Sequence, residues 1–416
     1  MKQAFESRSL RCVVSTAWFA MALVAGPACG QPSASLLDIR DLSFEGAVRL
    51  PANEFNGSSM NYSEGPLEYD PASNSILIVG HGHHQQLAEF VLPPPVRSDV
   101  LAELNMATPP IQGFEGVLGR MTGGNPQGLN RIGGLRLLDT ADGRRLLVNA
   151  YEYYDAPGDN THTSLLLDDP GAISASSVIG PKRFDGGAGH TSGWISPVPE
   201  AWQNALGGDH ITGQSSGIPI IGRTSVGPSA FAFDASSLAD ESETIETVRL
   251  LDFSLADPLH PDLSNDSRGN DLWTHLSRAV FGMVVPGTRT YLTIGYSGGH
   301  ESGVCYKCTQ DNGNLCGGYC PRIASDQSNY YWLWDLNDLI DARNGAVEPH
   351  QIRPYGSGEF QTPFSDHLIG GGSYDPASGL LYVSVPGADR EQGRYANPPV
   401  ILAFSISTVI FRDSFE

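Results

Sequence analysis

Side chains able to bind ligands or move protons recur in five short, glycine-containing segments of this chain. They read YSEGP with Glu64, LNRIGG with Asn130 and Arg131, GAGHTSG with His190, THLSRAVFG with His275 and Arg278, and SDHLIGG with Asp366 and His367. Three chemistries suit these residue types. His190, His275 and His367, with Glu64 or Asp366, form a donor set for a divalent metal such as calcium, zinc or manganese, the imidazoles favouring zinc or manganese. Glu64 and Asp366 could act as paired carboxylates in glycoside cleavage. His190 as a base, with Arg131 or Arg278 clamping a uronate carboxylate, suits β-elimination. A loop histidine taken alone is ordinarily a hydrogen-bonded structural residue, and no ligand-spaced pair lifts any of these above that background.

Two further stretches carry chemistry. GHGHH (Gly80–His84) places His81 and His83 at alternate positions, on one side of an extended strand. Tyr153 and Trp194 lie in or beside the same loops and offer aromatic faces for a sugar ring. With Arg278 and His83 they make the candidate substrate-binding set, while Glu64, His190, Arg131 and Asp366 make the candidate catalytic set. CYKCTQDNGNLCGGYC holds Cys305, Cys308, Cys316 and Cys320. Two short spacings flanking a loop are what a four-thiolate zinc site looks like. In an exported chain four clustered thiols more often become two disulfides, with three possible pairings.

Export is expected from the amino terminus. MKQAFESRSLR is basic, CVVSTAWFAMALVAG is apolar but too short to span a bilayer, and Ala28 and Gly30 have the spacing of a signal-peptidase site. Residues 1–30 therefore read as a signal peptide, and the protein as secreted or periplasmic. No later stretch is long and apolar enough for a spanning helix, so no integral membrane span is expected. The formal charge of −21 argues against nucleic acid as a partner. A carbohydrate or other small-molecule ligand remains, bound to a monomer.

The elements that must position these residues follow from a repeat. YDPAS occurs at Tyr69–Ser73 and again at Tyr374–Ser378, each time between two apolar strands. The phrase of strand, short turn, strand, longer loop, strand recurs five times. The units begin at GPLEYD, GGLRLLD, GHTSGWISPV, VFGMVV and IGGGSYD. In four of them an outer strand follows: MATPPIQGF, SVIGPKRF, TVRLLDF and HQIRPYG. In unit three the second strand is assigned to SGIPIIGRTS. The fifth unit lacks an outer strand, and LSFEGAVRLP (Leu42–Pro51) belongs to no unit. Its addition to the last unit would close a ring and remove free sheet edges.

This architecture resembles a five-bladed β-propeller: all-β, with four-stranded antiparallel blades over residues 40–407, an N-terminal closing strand, and a tail at 408–416. In such a ring the entry loops of the inner strands share a face with the loops between second and third strands. Eight of the 11 histidines map to that face. Gly65, Gly133, Gly189, Gly193 and Gly370 beside them let a backbone pass close to a ligand, or let strands pack tightly at the axis. VPEAWQNALGG reads as a short helix begun by Pro199 and stopped by Gly207, either a wall of the site or a plain insertion.

Known five-bladed propellers include glycoside hydrolases with three carboxylates on inner strands. This chain has Glu64 and Asp366 and no matching acid in units two or three, so it departs from that pattern. Some larger propellers are polysaccharide lyases with a catalytic His and Arg, and the residue types here are closer to those. The expectation is a carbohydrate-active enzyme, hydrolase or lyase, with a non-catalytic ligand-binding propeller or a structural cell-surface module as the competitors. An enzyme predicts one deep pocket at the axis; a binding module predicts similar shallow sites between blades. No phosphate-binding loop, dinucleotide fingerprint or serine-hydrolase elbow is present.

Overall fold

The computed structural model describes residues 34–140, 143–215, 224–239 and 242–407. The export segment at 1–30, the tail at 408–416 and most of the SGIPIIGRTS segment lie outside the described residues.

Several inner and middle strands of this chain are continuously apolar rather than alternating. Ser75–Val79, Ser164–Leu167 and Ala230–Phe233 are buried along their whole length. A strand covered on one face only would alternate; these are covered on both. The cover is a neighbouring sheet on each side, and five small sheets stand in a ring. The chain is a five-bladed β-propeller.

Blade one runs Leu67–Asp70, Ser75–Val79, Gln86–Val91 and Gln112–Gly116. Blade two runs Arg131–Thr140, Gly143–Tyr151, Ser164–Leu167 and Val178–Phe184, with the short parallel strand Thr244–Ile245 outside it. Blade three runs Ile195–Pro197, His210–Thr212, Ala230–Phe233 and Val248–Leu251. Blade four runs Arg278–Val284, Thr290–Gly298, Gln327–Asp335 and Gly356–Glu359. Blade five runs Gly371–Asp375, Leu380–Val385 and Val400–Ile406, and takes Leu42–Arg49 as its fourth strand.

That fourth strand closes the ring as expected, antiparallel, with Leu42 opposite Ile406 and Arg49 opposite Val400. Asn105–Met106 pairs parallel on its far side, so blades two and five each gain a two-residue parallel strand beyond the expected four. The two YDPAS turns are the same turn in the first and last blades. Asp70 accepts from the Ala72 N–H at 2.8 Å and Asp375 from the Ala377 N–H at 3.0 Å. Across the closure the Tyr69 N–H donates to Ser373 Oγ at 3.0 Å, and the Tyr69 and Tyr382 rings stack at 4.4 Å.

Several local expectations shift. The second strand of blade three is His210–Thr212, upstream of the segment assigned to it. The GHTSGWISPV strand is shorter, because Ala188–Thr191 forms one helical turn and the strand begins at Ile195. The outer strand of blade four starts at Gly356; Pro349–Gln351 is a 3-10 turn with a proline at its first position. The helix is present, Glu200–Leu206, with Gly207 left-handed at its end (φ 85°). It is no wall of the site. Trp202 is buried and donates to the Thr288 carbonyl at 3.0 Å, in the turn between the first two strands of blade four. That turn is on the face opposite the entry loops. Trp332 and Trp334 are fully buried between blades.

A buried ion pair secures the closure. Arg49 Nε and Nη2 donate to Asp389 at 2.7 and 3.0 Å, and Asp389 is wholly buried. Removing one partner strands the other charge in a dry site, at a cost of about 3–5 kcal/mol. Asp389→Ala should therefore lower the urea midpoint strongly. Asp389→Ala combined with Arg49→Met should lose less than the two single changes summed.

Candidate functional site

The inner strands meet so tightly at the axis that side chains cannot fit between some of them. Gly65 has φ +94°, and a methyl group there would collide with Ser384 Oγ and come within 2.9 Å of Gly370 Cα. Gly133 and Gly370 likewise face backbone of a neighbouring blade, and Gly193 faces the Gly213 carbonyl of its own blade. For these positions close strand packing is the physical role. Where the strands begin to diverge, a cavity of about 280 Å³ opens on the entry-loop face.

All five blades line it. Entry segments supply Glu64, Gly133, Trp194, Arg278 and Ile369; the ends of second strands supply Tyr151, Gln214 and Tyr296. Arg278 is the central cation. It begins its strand directly opposite Tyr296, and its Nη2 donates to the Tyr151 hydroxyl at 3.0 Å. Its Nε is buried without a hydrogen-bond partner among the described residues. The neighbouring phenols of Tyr151 and Tyr296 and the Glu64 carboxylate hold the guanidinium firmly protonated, against its burial. Burial pushes the Tyr151 hydroxyl above the usual phenol range, with Arg278 opposing, so Tyr151 is neutral and able to donate a proton.

Glu64 is about half exposed at the rim. Its Oε1 lies 3.2 Å from Arg131 Nε, and its Oε2 accepts from Gln85 Nε2 at 3.4 Å. Arg131 also lies over the Tyr153 ring, 5.1 Å from Cζ to the centroid. Arg131 is ion-paired with Glu64 and packed on Tyr153, whereas Arg278 has no acidic partner among the described residues; the Nε of each is buried without a hydrogen bond. Trp194 forms cavity floor rather than a stacking platform: it is buried, and its indole N–H donates to Tyr291 Oη at 2.8 Å. Asp366 is exposed and is not among the cavity-lining residues, so only one of the two expected carboxylates faces the cavity.

A second cavity of about 300 Å³ runs between blades two and three. It shares Tyr151 and Gln214 with the first, so the two are contiguous. His190, Glu152, Tyr153 and Asn160 are among its lining residues. His190 Nδ1 is 2.6 Å from Asp252 Oδ1. This contact orients the ring and leaves Nε2 as the nitrogen without a partner among the described residues. Asp252 could not be singled out from sequence, because it ends an apolar outer strand and resembles any strand-terminal Asp.

The three histidines of the expected metal set do not come together. His190 is in the blade two–three crevice. His275 stacks on Tyr319, with centroids 4.1 Å apart and planes at 11°. His367 sits near Arg390, and burial, then that cation, depresses its pKa. Among the described residues the only three-residue group of His, Cys, Asp or Glu with converging ligand atoms is Cys305, Cys308 and Cys320. His83 is exposed in a turn where His81, His83 and His84 lie ring against ring; its N–H donates to His81 Nδ1 at 3.1 Å. Two disulfides form, Cys305–Cys308 and Cys316–Cys320.

Compared with known proteins, the chain matches no family model and no curated protein. No helix among the described residues is long and apolar enough to cross a membrane.

His275 titrates below the usual histidine value because burial disfavours its charged form. The unfolded chain then binds a proton that the folded chain refuses, so this contribution to stability is lost as pH falls below about 6.5. His275→Phe keeps the stack on Tyr319 and should flatten part of the acid-side decline in melting temperature between neutral pH and pH about 5.

Proposed function

We propose that this protein is an exported carbohydrate-active enzyme that holds a uronate residue of an acidic glycan in the axial cavity and cleaves it by β-elimination. The observation that carries this reading is Arg278: a half-buried arginine lining a cavity that all five blades bound, anchored through Nη2 on Tyr151 and without an acidic partner among the described residues. A half-buried Arg with unspent donors matches the planar, two-oxygen geometry of a carboxylate. Export is supported by the apolar N-terminal run and by two disulfides, which persist in oxidising compartments.

The chemistry follows from who lines the cavity. Arg278 pairs with the uronate carboxylate and stabilises the negative charge that develops on it when the adjacent carbon loses its proton. Glu64, the one carboxylate at the cavity, accepts that proton. The electron pair forms the new carbon–carbon double bond and expels the glycosidic oxygen. Tyr151, neutral through burial, donates a proton to the departing oxygen. The glycan continues into the blade two–three crevice, over Tyr153 and past His190. The acids Glu152 and Asp155 there favour neutral sugars over further uronates. Hydrolysis by paired carboxylates is disfavoured, since Asp366 does not face the cavity.

A non-catalytic acidic-glycan-binding propeller is the second reading. Its support is the ion pair between Glu64 and Arg131, which occupies the carboxylate that would have to approach the proton.

The test is thermal stabilisation and product absorbance with polygalacturonate, alginate and glucuronate oligosaccharides. A melting shift with appearance of the conjugated unsaturated product supports the enzyme. A shift without product supports the binding module. In either case Arg278→Met should weaken binding at least about 10-fold, the loss expected for one charge-assisted pair of roughly 1.5–3 kcal/mol. No shift with any uronate, or full binding by Arg278→Met, overturns the assignment of the cavity.

A further inference from the structure

The four cysteines stand on the two arms of one hairpin. Val304–Tyr306 pairs antiparallel with Tyr319–Pro321, which places Cys305 directly opposite Cys320. Further along, Thr309 bridges Leu315, and the Cys316 N–H donates to the Cys308 carbonyl at 3.0 Å. Each arm therefore contributes two cysteines; the sulfurs of Cys305, Cys308 and Cys320 lie within 4.8 Å of one another, and Cys316 is bonded to Cys320 at the edge of that group. The disulfides run along the arms. Between the arms, Cys308 Sγ lies 3.6 Å from Cys320 Sγ, and Cys305 Sγ lies 3.9 Å from it.

Those two gaps have a meaning for a metal. Zinc bound by thiolates has Zn–S distances of about 2.3 Å, so the edge of its sulfur tetrahedron is about 3.8 Å. The arm-to-arm spacings bracket that edge. For four-coordination the sulfurs within each arm must part and Cys316 Sγ must turn in toward Cys305 and Cys308. Within the two arms the paired Cα atoms are 6.0 and 6.3 Å apart, which leaves room for two Sγ atoms at that separation. We propose that the hairpin is a tetrathiolate zinc site in its reduced state, and that the two disulfides are the oxidised state of the same centre.

The interconversion balances. Each disulfide takes two electrons and two protons from a dithiol, which becomes a disulfide itself. The four thiols then lose four protons on binding one Zn²⁺, leaving a complex of charge −2. The metal would replace what the cross-links do now. The hairpin has little apolar core of its own: Tyr306 and Leu315 are exposed, and the connecting residues are rich in Gly and Asn. Reduced and metal-free, it has little to hold its shape. Its condition is felt at the site, because Tyr319, next to Cys320, stacks on His275, three residues before Arg278.

The experiment uses the full exported chain, reduced without oxygen by a phosphine, freed of reductant, and titrated with Co²⁺ and then Zn²⁺. One equivalent of cobalt should give the intense visible bands and thiolate charge-transfer of tetrahedral sulfur coordination, and zinc should bleach them. The untreated protein should give neither. Cys308→Ser/Cys320→Ser should abolish the signal, and alkylation of the reduced wild type should do the same should that variant fold poorly. His81→Ala/His83→Ala/His84→Ala should leave it intact. The proposal is overturned if the reduced protein binds no cobalt. It is equally overturned if the bands form without reduction, if they survive the cysteine changes or alkylation, or if they vanish with the histidine changes.

Discussion

The antiparallel ladder between Leu42–Arg49 and Val400–Ile406 is the contact on which the rest of this molecule depends. It joins the two ends of the described chain inside one sheet. Without it Val400–Ile406 would present an unpaired, almost wholly buried-type strand as a free edge. The ring would also lose the constraint that presses blade one against blade five, where Gly65 meets Gly370. Arg49, the last residue of the ladder, reaches across to Asp389 in the loop between the second and third strands of blade five. Closure and the entry-loop face are thus tied by one ion pair.

Crowding at the axis shapes the cavity. Glycines let the inner strands touch, and the space that opens above them is small and lined by all five blades. A guanidinium in that space pairs more strongly with an anion than it would in water, because fewer water dipoles compete. The overall charge of −21 sets the opposite tendency at long range. At physiological salt that repulsion is screened beyond about 8 Å, whereas Arg278 acts at contact. The anionic ligand proposed above would therefore be selected by short-range geometry and not by steering.

The cysteine hairpin adds a second kind of order. A propeller blade is held by neighbours on both faces; an excursion above the blade is not, and covalent or metal links must do the work of a core. The stack of Tyr319 on His275 joins this excursion to the strand that begins with Arg278.

Much of the fold was legible because its signals are local. The YDPAS turns, continuous apolar strands of four to nine residues, and the unassigned Leu42–Pro51 segment together yielded the blade count and the closure. The second strand of blade three was not legible: His210–Thr212 has three residues, too few for any period, and SGIPIIGRTS looked more strand-like. The entry loops carried the right segments to the cavity, since topology alone brings them to one face. What each side chain does there was decided by register and packing. Arg278 finds Tyr151 across 127 residues, and His190 finds Asp252 across 62. Trp194 turned into the floor and Asp366 out to solvent. Sequence determines strands and turns through neighbours along the chain; which donor is satisfied and which is left open depends on neighbours that only the closed ring supplies.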